Sequence, residues 1–160
     1  MKKNTYPKTN KTYIDKKIKI KEYFKLTINC LKNYKNKVNL VDVGCASGDF
    51  LNLLSKKKNF NLTGIDFSKT SLDLAKEKVP NATFRLLDLK KKINLNKKYD
   101  ICTCLGTLSA FDDKFKIIDK LVNLVKNKGE LIILDLVNEH DVNVLVRYQN
   151  NFENKDEWLS

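Results

Sequence analysis

Leu40-Val-Asp-Val-Gly-Cys-Ala-Ser-Gly-Asp-Phe-Leu51 passes from strand formers through a turn of small residues into helical spacing. Leu40, Val41 and Val43 suit a buried strand. Gly44, Ala46, Ser47 and Gly48 are compact, and Phe50, Leu51 and Leu54 recur on one helical face. Small residues at such a turn let a ligand approach the backbone closely, and helix N-terminal amides face it.

The same alternation repeats on both sides of this stretch. Residues 13–35 carry an apolar stripe of Ile20, Phe24, Ile28 and Leu31 among lysines, which predicts a helix. Strands are predicted at 39–43, 61–66, 83–87, 99–105 and 130–136. Ser68 is placed to cap a helix with Leu72, Ala75 and Val79 inward. Asp112 or Asp113 caps the next, with Phe115, Ile118, Val122 and Val125 on one face and Lys128-Gly129 as its stop. Nearly all-apolar strands alternating with amphipathic helices predict an α/β fold. The expected form is a doubly wound, mainly parallel sheet with helices on both faces. One domain spanning 1–160 is expected: an arm and helix over 1–36, a ligand-binding core over 38–136 and a tail over 137–160. In the tail, Val142, Val144 and Val146 alternate like a strand, while Leu145 and the aromatic ends also suit a helix.

With 160 residues the chain can bury a proper core. No apolar run is long enough to span a bilayer, and no apolar stretch follows Met1-Lys-Lys-Asn, so a cytoplasmic location without a membrane partner is expected. The net charge of +12 suggests a nucleic-acid partner. That partner is not favoured: Arg85 and Arg147 are the only arginines, and the lysines cluster at predicted loops and helix ends. Cys30, Cys45, Cys102 and Cys104 show no Cys-x-x-Cys spacing and read as buried small hydrophobes, with no metal site.

In a doubly wound sheet the ligand sits beyond the carboxyl ends of the strands. Asp42, Asp66 and Asp88 fall there. A dinucleotide would want Gly-x-Gly-x-x-Gly and an acid about twenty residues on. Asp66 fits that acid, but Asp49 stands where the third glycine belongs. Asp42 and Asp49 would then flank a pyrophosphate, a repulsion of several kcal/mol. Asp42 suits a ligand bearing positive charge. S-adenosylmethionine has a sulfonium, an ammonium, a ribose diol and an adenine, and no phosphate. Asp42 can receive the ammonium, Gly44–Gly48 can line the methionine part, Asp66 can take both ribose hydroxyls, and Asp88 can accept from the adenine amino group with Leu89 against the ring.

Val41-Asp-Val-Gly-Cys-Ala-Ser-Gly48, Gly64-Ile-Asp-Phe-Ser68, Leu87-Asp-Leu89 and Tyr99-Asp-Ile-Cys-Thr-Cys-Leu-Gly106 resemble successive motifs of the class I S-adenosylmethionine-dependent methyltransferases. The resemblance covers about 39–136 and implies the strand order 3-2-1-4-5. Each motif alone is weak, and four in order at the right strand ends are strong together. It implies S-adenosylmethionine as methyl donor, S-adenosylhomocysteine as product, and Asp42, Gly44, Cys45, Ala46, Gly48, Asp66, Phe67, Ser68, Asp88, Leu89, Leu105 and Gly106 as the cofactor site. Ala46 replaces the family's middle glycine. A bland reading stands beside each acid, with Asp42 satisfying turn amides and Asp66 and Asp88 acting as capping or loop acids.

Methyl transfer from a sulfonium needs acceptor, methyl and sulfur held in line, and an oxygen acceptor needs a base. His140 is the sole histidine and the candidate base, with an exposed loop histidine as the favoured reading. Asp112, Asp113 and Glu139 are weaker candidates. Tyr6, Tyr13 and Tyr23 could form a lid or simply pack their helix. Arg147 and Tyr148 could recognise an anionic or sugar-like acceptor. After strand four, Leu105-Gly-Thr-Leu-Ser109 lacks the Asn/Asp-Pro-Pro-Tyr/Phe of exocyclic-amine methyltransferases, and Cys104 lacks the proline neighbour of cytosine-C5 enzymes. A small-molecule acceptor, such as a sugar or metabolite hydroxyl, is expected. An RNA-directed methyltransferase and a non-catalytic binding module are the alternatives. The family's C-terminal strand 6/7 hairpin is not expected, which suggests a truncated or minimal chain, a monomer or an edge-paired homodimer.

Overall fold

A computed structural model describes residues 22–91, 97–136 and 143–149; side chains are described within 23–91, 97–135 only. Helix α1 spans Glu22–Cys30, followed by β1 Val38–Val43, α2 Asp49–Ser55, β2 Phe60–Asp66 and α3 Lys69–Lys78. Then come β3 Thr83–Leu86, β4 Tyr99–Leu105, a 3-10 turn at Leu108–Ala110, α4 Lys114–Val122, β5 Val125–Leu136 and β6 Asn143–Gln149.

The sheet order is β3-β2-β1-β4-β5-β6. The five parallel strands stand in the expected order, with β1 between β2 and β4. The tail, which suits strand or helix by sequence, supplies β6, antiparallel to β5. Alternation along each strand splits the core in two. Leu40, Ile101 and Ile132 pack with Phe24, Leu31, Phe50, Leu54 and Leu72 from the α1, α2 and α3 side. Val41, Val43, Cys102, Cys104 and Leu131 pack with Ile117 and Leu121 of α4 on the other face. Cys102 and Cys104 thus share a face, as their spacing predicts, and all four cysteines are free thiols.

Two expectations are corrected. The fully buried residues of α4 are Ile117 and Leu121, with the expected Ile118 and Val122 partly buried against the same core, while Phe115 is 83% exposed. The helix ends at Val122, and Val125 already pairs with Tyr99 as the first residue of β5. Register then jumps to Ile101–Glu130, so Lys128-Gly129 forms a bulge inside the strand and not a helix stop. The physical cause is steric. Lys128 has φ +61°, and a Cβ on Gly129 would lie 2.9 Å from the Asp100 carbonyl oxygen of β4.

Candidate cofactor site

The turn after β1 sits where the chain direction of the sheet diverges, between β2 and β4. Gly44 and Cys45 donate backbone N–H bonds to the Ile65 carbonyl at 2.8 and 3.0 Å. Gly44 has φ +80°, and a Cβ there would meet Thr107 Oγ1 at 2.1 Å. Gly48 has φ +75° and packs against Ala75 of α3. These positions need glycine for conformation and for space. Ala46 also lies in the left-handed region, at φ +45°.

The turn bounds a cleft of about 110 Å³, several times the roughly 10–15 Å³ that one water needs. Tyr23 and Phe24 of α1, Asp42, Gly44, Cys45, Ala46, Asp49 and Phe50 line it with Leu105, Gly106 and Thr107. The structure therefore brings together six of the sequence-predicted cofactor residues: Asp42, Gly44, Cys45, Ala46, Leu105 and Gly106. Tyr23 joins them and also packs edge-on against Phe24, with ring centres 4.7 Å apart.

Asp42 is only 3% exposed. Its Oδ1 accepts from Thr103 Oγ1 at 2.7 Å, and its Oδ2 accepts no hydrogen bond among the described residues. Burial pushes its carboxyl up to about 7; the Thr103 hydrogen bond acts the other way, and the Asp66 carboxylate adds to the rise. The lining contains two carboxylates and neither lysine nor arginine. Asp49 is compensated from outside, by Lys78 of α3 on Oδ1 and the Ser47 hydroxyl on Oδ2. Asp42 is not. A cleft with a buried, uncompensated carboxylate fits a ligand that brings an ammonium and rejects a phosphate.

The remaining predicted residues lie around the strand ends outside this cleft. Asp66 Oδ2 accepts from Ala46 N and Oδ1 from Ser68 N, both at 2.9 Å. It ties the β1 turn to the start of α3. Ser68 caps that helix through Ser71 N. Phe67 is 46% exposed beside it. Asp88 closes a small turn, its Oδ1 accepting from Lys90 N at 2.8 Å. Leu89 is buried in the α4-side core. Asp113, and not Asp112, caps α4. His140 and Glu139 lie outside the described residues, as do Tyr6 and Tyr13; Arg147 and Tyr148 fall on β6.

No local sequence signal marks Thr103, Thr107 or Asp135. Thr103 is fully buried opposite Asp42 in the β1–β4 register. Asp135, buried near the end of β5, accepts from Ser109 N at 3.0 Å and fixes the loop after β4. Burial raises the thiols of Cys45, Cys102 and Cys104, and nearby carboxylates or thiols raise them further. These shifts favour the protonated thiol, which speaks against Cys104 as a nucleophile.

The methyltransferase-domain family model matches residues 34–159. Protein 235L of Invertebrate iridescent virus 6, which carries a methyltransferase name, is 31% identical over 74% of this chain and 44% of its own length. Malonyl-(acyl-carrier protein) O-methyltransferase of Acetivibrio thermocellus is 30% identical over 61% of this chain and 35% of its own. The plantazolicin methyltransferase BpumL, solved with a monoazolic desmethyl-plantazolicin analogue and S-adenosylhomocysteine, superposes with a TM-score of 0.58. It is 28% identical over 71% of this chain and 43% of that one. The chain thus spans less than half the length of these relatives.

Proposed function

The chain belongs to the class I S-adenosylmethionine-dependent methyltransferase family, and on that premise we propose that it transfers a methyl group from S-adenosylmethionine to a small-molecule acceptor. The observation that carries the reading is Asp42, buried at the floor of a cleft without a positive partner. An ammonium-bearing ligand supplies that partner. Bound S-adenosylmethionine supplies the activated methyl group; the chain's part is to bind, orient and exclude water.

In this reading the Gly44–Gly48 turn lines the methionine end, and Asp42 receives the ammonium through Oδ2. The Asp66 carboxylate has lone pairs beyond those taken by Ala46 and Ser68, and these accept the ribose hydroxyls. Asp88 accepts from the adenine amino group, with Phe67, Ser68 and Leu89 around it. Tyr23 and Phe24 wall the cleft from α1. His140 is proposed as the base for an oxygen acceptor. Relatives named for a malonyl-carrier, a demethylmenaquinone and plantazolicin support a small or peptide-like acceptor over a nucleic acid.

Titration calorimetry with S-adenosylhomocysteine and NADH tests the cofactor assignment. Binding of the first and not the second is expected; the reverse result overturns it. Transfer of radiolabelled methyl into the low-molecular-weight fraction of a cell extract, and not into its RNA, is expected for the acceptor.

A further inference from the structure

The C-terminal end of β3 runs into a turn at Asp88–Lys91, closed by Lys91 N donating to the Asp88 carbonyl at 3.0 Å and Lys90 N donating to Asp88 Oδ1. A side chain far away in sequence also holds this turn. The Lys120 ammonium, on α4, donates to the carbonyl oxygens of Leu89 at 2.5 Å and Lys91 at 2.8 Å. Among the described residues Lys120 forms no ion pair, unlike Lys69, Lys76, Lys78 and Lys126. Two of its three N–H donors are spent on the main chain of one turn. Leu89, buried in the core beside Ile117 and Leu121, anchors the turn from below. Asp88 Oδ2 accepts no hydrogen bond among the described residues. A turn pinned by a buried leucine, by its own aspartate and by a clasping ammonium therefore presents one carboxylate oxygen in a fixed place.

We propose that Lys120 is a positioning residue for the adenine end of the cofactor site, acting through the Asp88–Lys91 turn to hold the Asp88 carboxylate against the purine amino group. The inference rests on the reading of Asp88 given above. A bare loop could also carry an acid in this place, but its carboxylate would have to be ordered when the ligand binds. The clasp removes that cost beforehand. The Asp88 carboxylate then discriminates by acceptance: it welcomes an amino donor and repels a carbonyl oxygen at the same position.

The test compares binding of S-adenosylhomocysteine and S-inosylhomocysteine, in which the purine amino group becomes a carbonyl. The full chain, Lys120→Met and Lys120→Arg are measured by calorimetry, with melting curves for each. The native chain is expected to prefer the amino ligand. Lys120→Met keeps the stem and loses the clasp, so affinity for S-adenosylhomocysteine falls by about tenfold while S-inosylhomocysteine changes by less than about twofold. Lys120→Arg restores the preference. In an Asp88→Ala background Lys120→Met has no further effect on S-adenosylhomocysteine. Equal loss for both ligands, or unchanged discrimination in Lys120→Met, overturns the proposal and leaves the cofactor assignment standing. A native chain that binds neither ligand overturns the cofactor assignment itself.

Discussion

Thr103 Oγ1 lies 2.7 Å from Asp42 Oδ1, donating a hydrogen bond between two buried side chains paired across β1 and β4. The bond orients the carboxylate and leaves Oδ2 for the cleft. It also opposes the rise that burial imposes on Asp42, whose carboxyl still titrates near 7. A proton therefore competes with the ligand's ammonium close to neutral pH. Affinity for S-adenosylhomocysteine is expected to be flat above about pH 7.5 and to fall toward tenfold per unit below about pH 6.5. Calorimetry from pH 5.5 to pH 8.5 checks this; a flat profile would show that Asp42 does not meet the ammonium. Thr103→Val, which removes the donor, should move the midpoint upward.

The same residue limits the stability of the ligand-free chain. Its folded-state value of about 7 lies above the ordinary 3.8, so it favours the folded state below about pH 4. That contribution is lost as pH rises from there to about 7. Asp42→Asn removes the cost of burying the anion, at about 1.4 kcal/mol per unit of raised pKa. At pH 8 the variant is expected to be more stable by a few kcal/mol, while binding of S-adenosylhomocysteine falls at least about tenfold. Urea denaturation at pH 8 and pH 4 separates the two effects, since the stability gain should vanish at the lower pH.

Asp66 joins structure and binding in one carboxylate. Asp66→Ala leaves the Ala46 and Ser68 amides without their acceptor, so a loss of affinity would be ambiguous. Asp66→Asn keeps one acceptor oxygen for an amide and offers a donor in place of the other. Its affinity for S-adenosylhomocysteine is expected to drop at least about tenfold, with a stability loss near 1–2 kcal/mol. A variant that binds normally would restrict Asp66 to tying the turn to α3.

The alternation of strands and helices, the glycine turn and the strand-end acids were legible because each is a local pattern. Apolar runs, small residues and capping serines or aspartates announce themselves within a few positions. The boundary between α4 and β5 was not. Val122 and Val125 are three apart and satisfy helical spacing as well as their true placement, and Gly129 after Lys128 imitates a helix stop. The Val125 side chain at 2.6 Å and the Asp100 carbonyl across the sheet at 2.9 Å, both in the way of a Cβ, show why glycine stands there. Thr103 with Asp42, Ser109 with Asp135 and Lys120 with Leu89 are contacts 61, 26 and 31 residues apart. Register and docking create them, and nothing in the neighbouring sequence encodes them.

Ala46 pays for its place in the turn. At φ +45° its Cβ crowds the following backbone, at about 1–2 kcal/mol, whereas glycine adds about 0.5–1 kcal/mol of unfolded-state entropy. The first term is larger, so Ala46→Gly should stabilise the chain by about 0.5–1 kcal/mol. The backbone bond from Ala46 N to Asp66 needs no side chain, and affinity for S-adenosylhomocysteine should stay within about twofold. Paired thermal melts and calorimetry read both quantities; a destabilised variant would mean that the methyl group makes packing contacts worth more than the strain.

Gly44 is the converse case, because there conformation and space act together. Its φ of +80° disfavours any side chain, and an added Cβ would come within 2.1 Å of Thr107 Oγ1 and 2.7 Å of Cγ2. Threonine is branched at Cβ and cannot swing its far end away cheaply. Gly44→Ala is therefore expected to cost about 2 kcal/mol or more and to displace the Leu105–Thr107 wall of the cleft, abolishing measurable binding. Adding Thr107→Ala removes the two nearest clashing atoms and leaves the Thr107 Cβ at 2.9 Å together with the backbone strain. The double variant should recover part of the stability and little of the affinity, since Thr107 itself lines the cleft. Full recovery of stability would mean that the Thr107 Oγ1 and Cγ2 contacts alone demand glycine at this turn; no recovery would mean that the left-handed backbone and the remaining Cβ contact do.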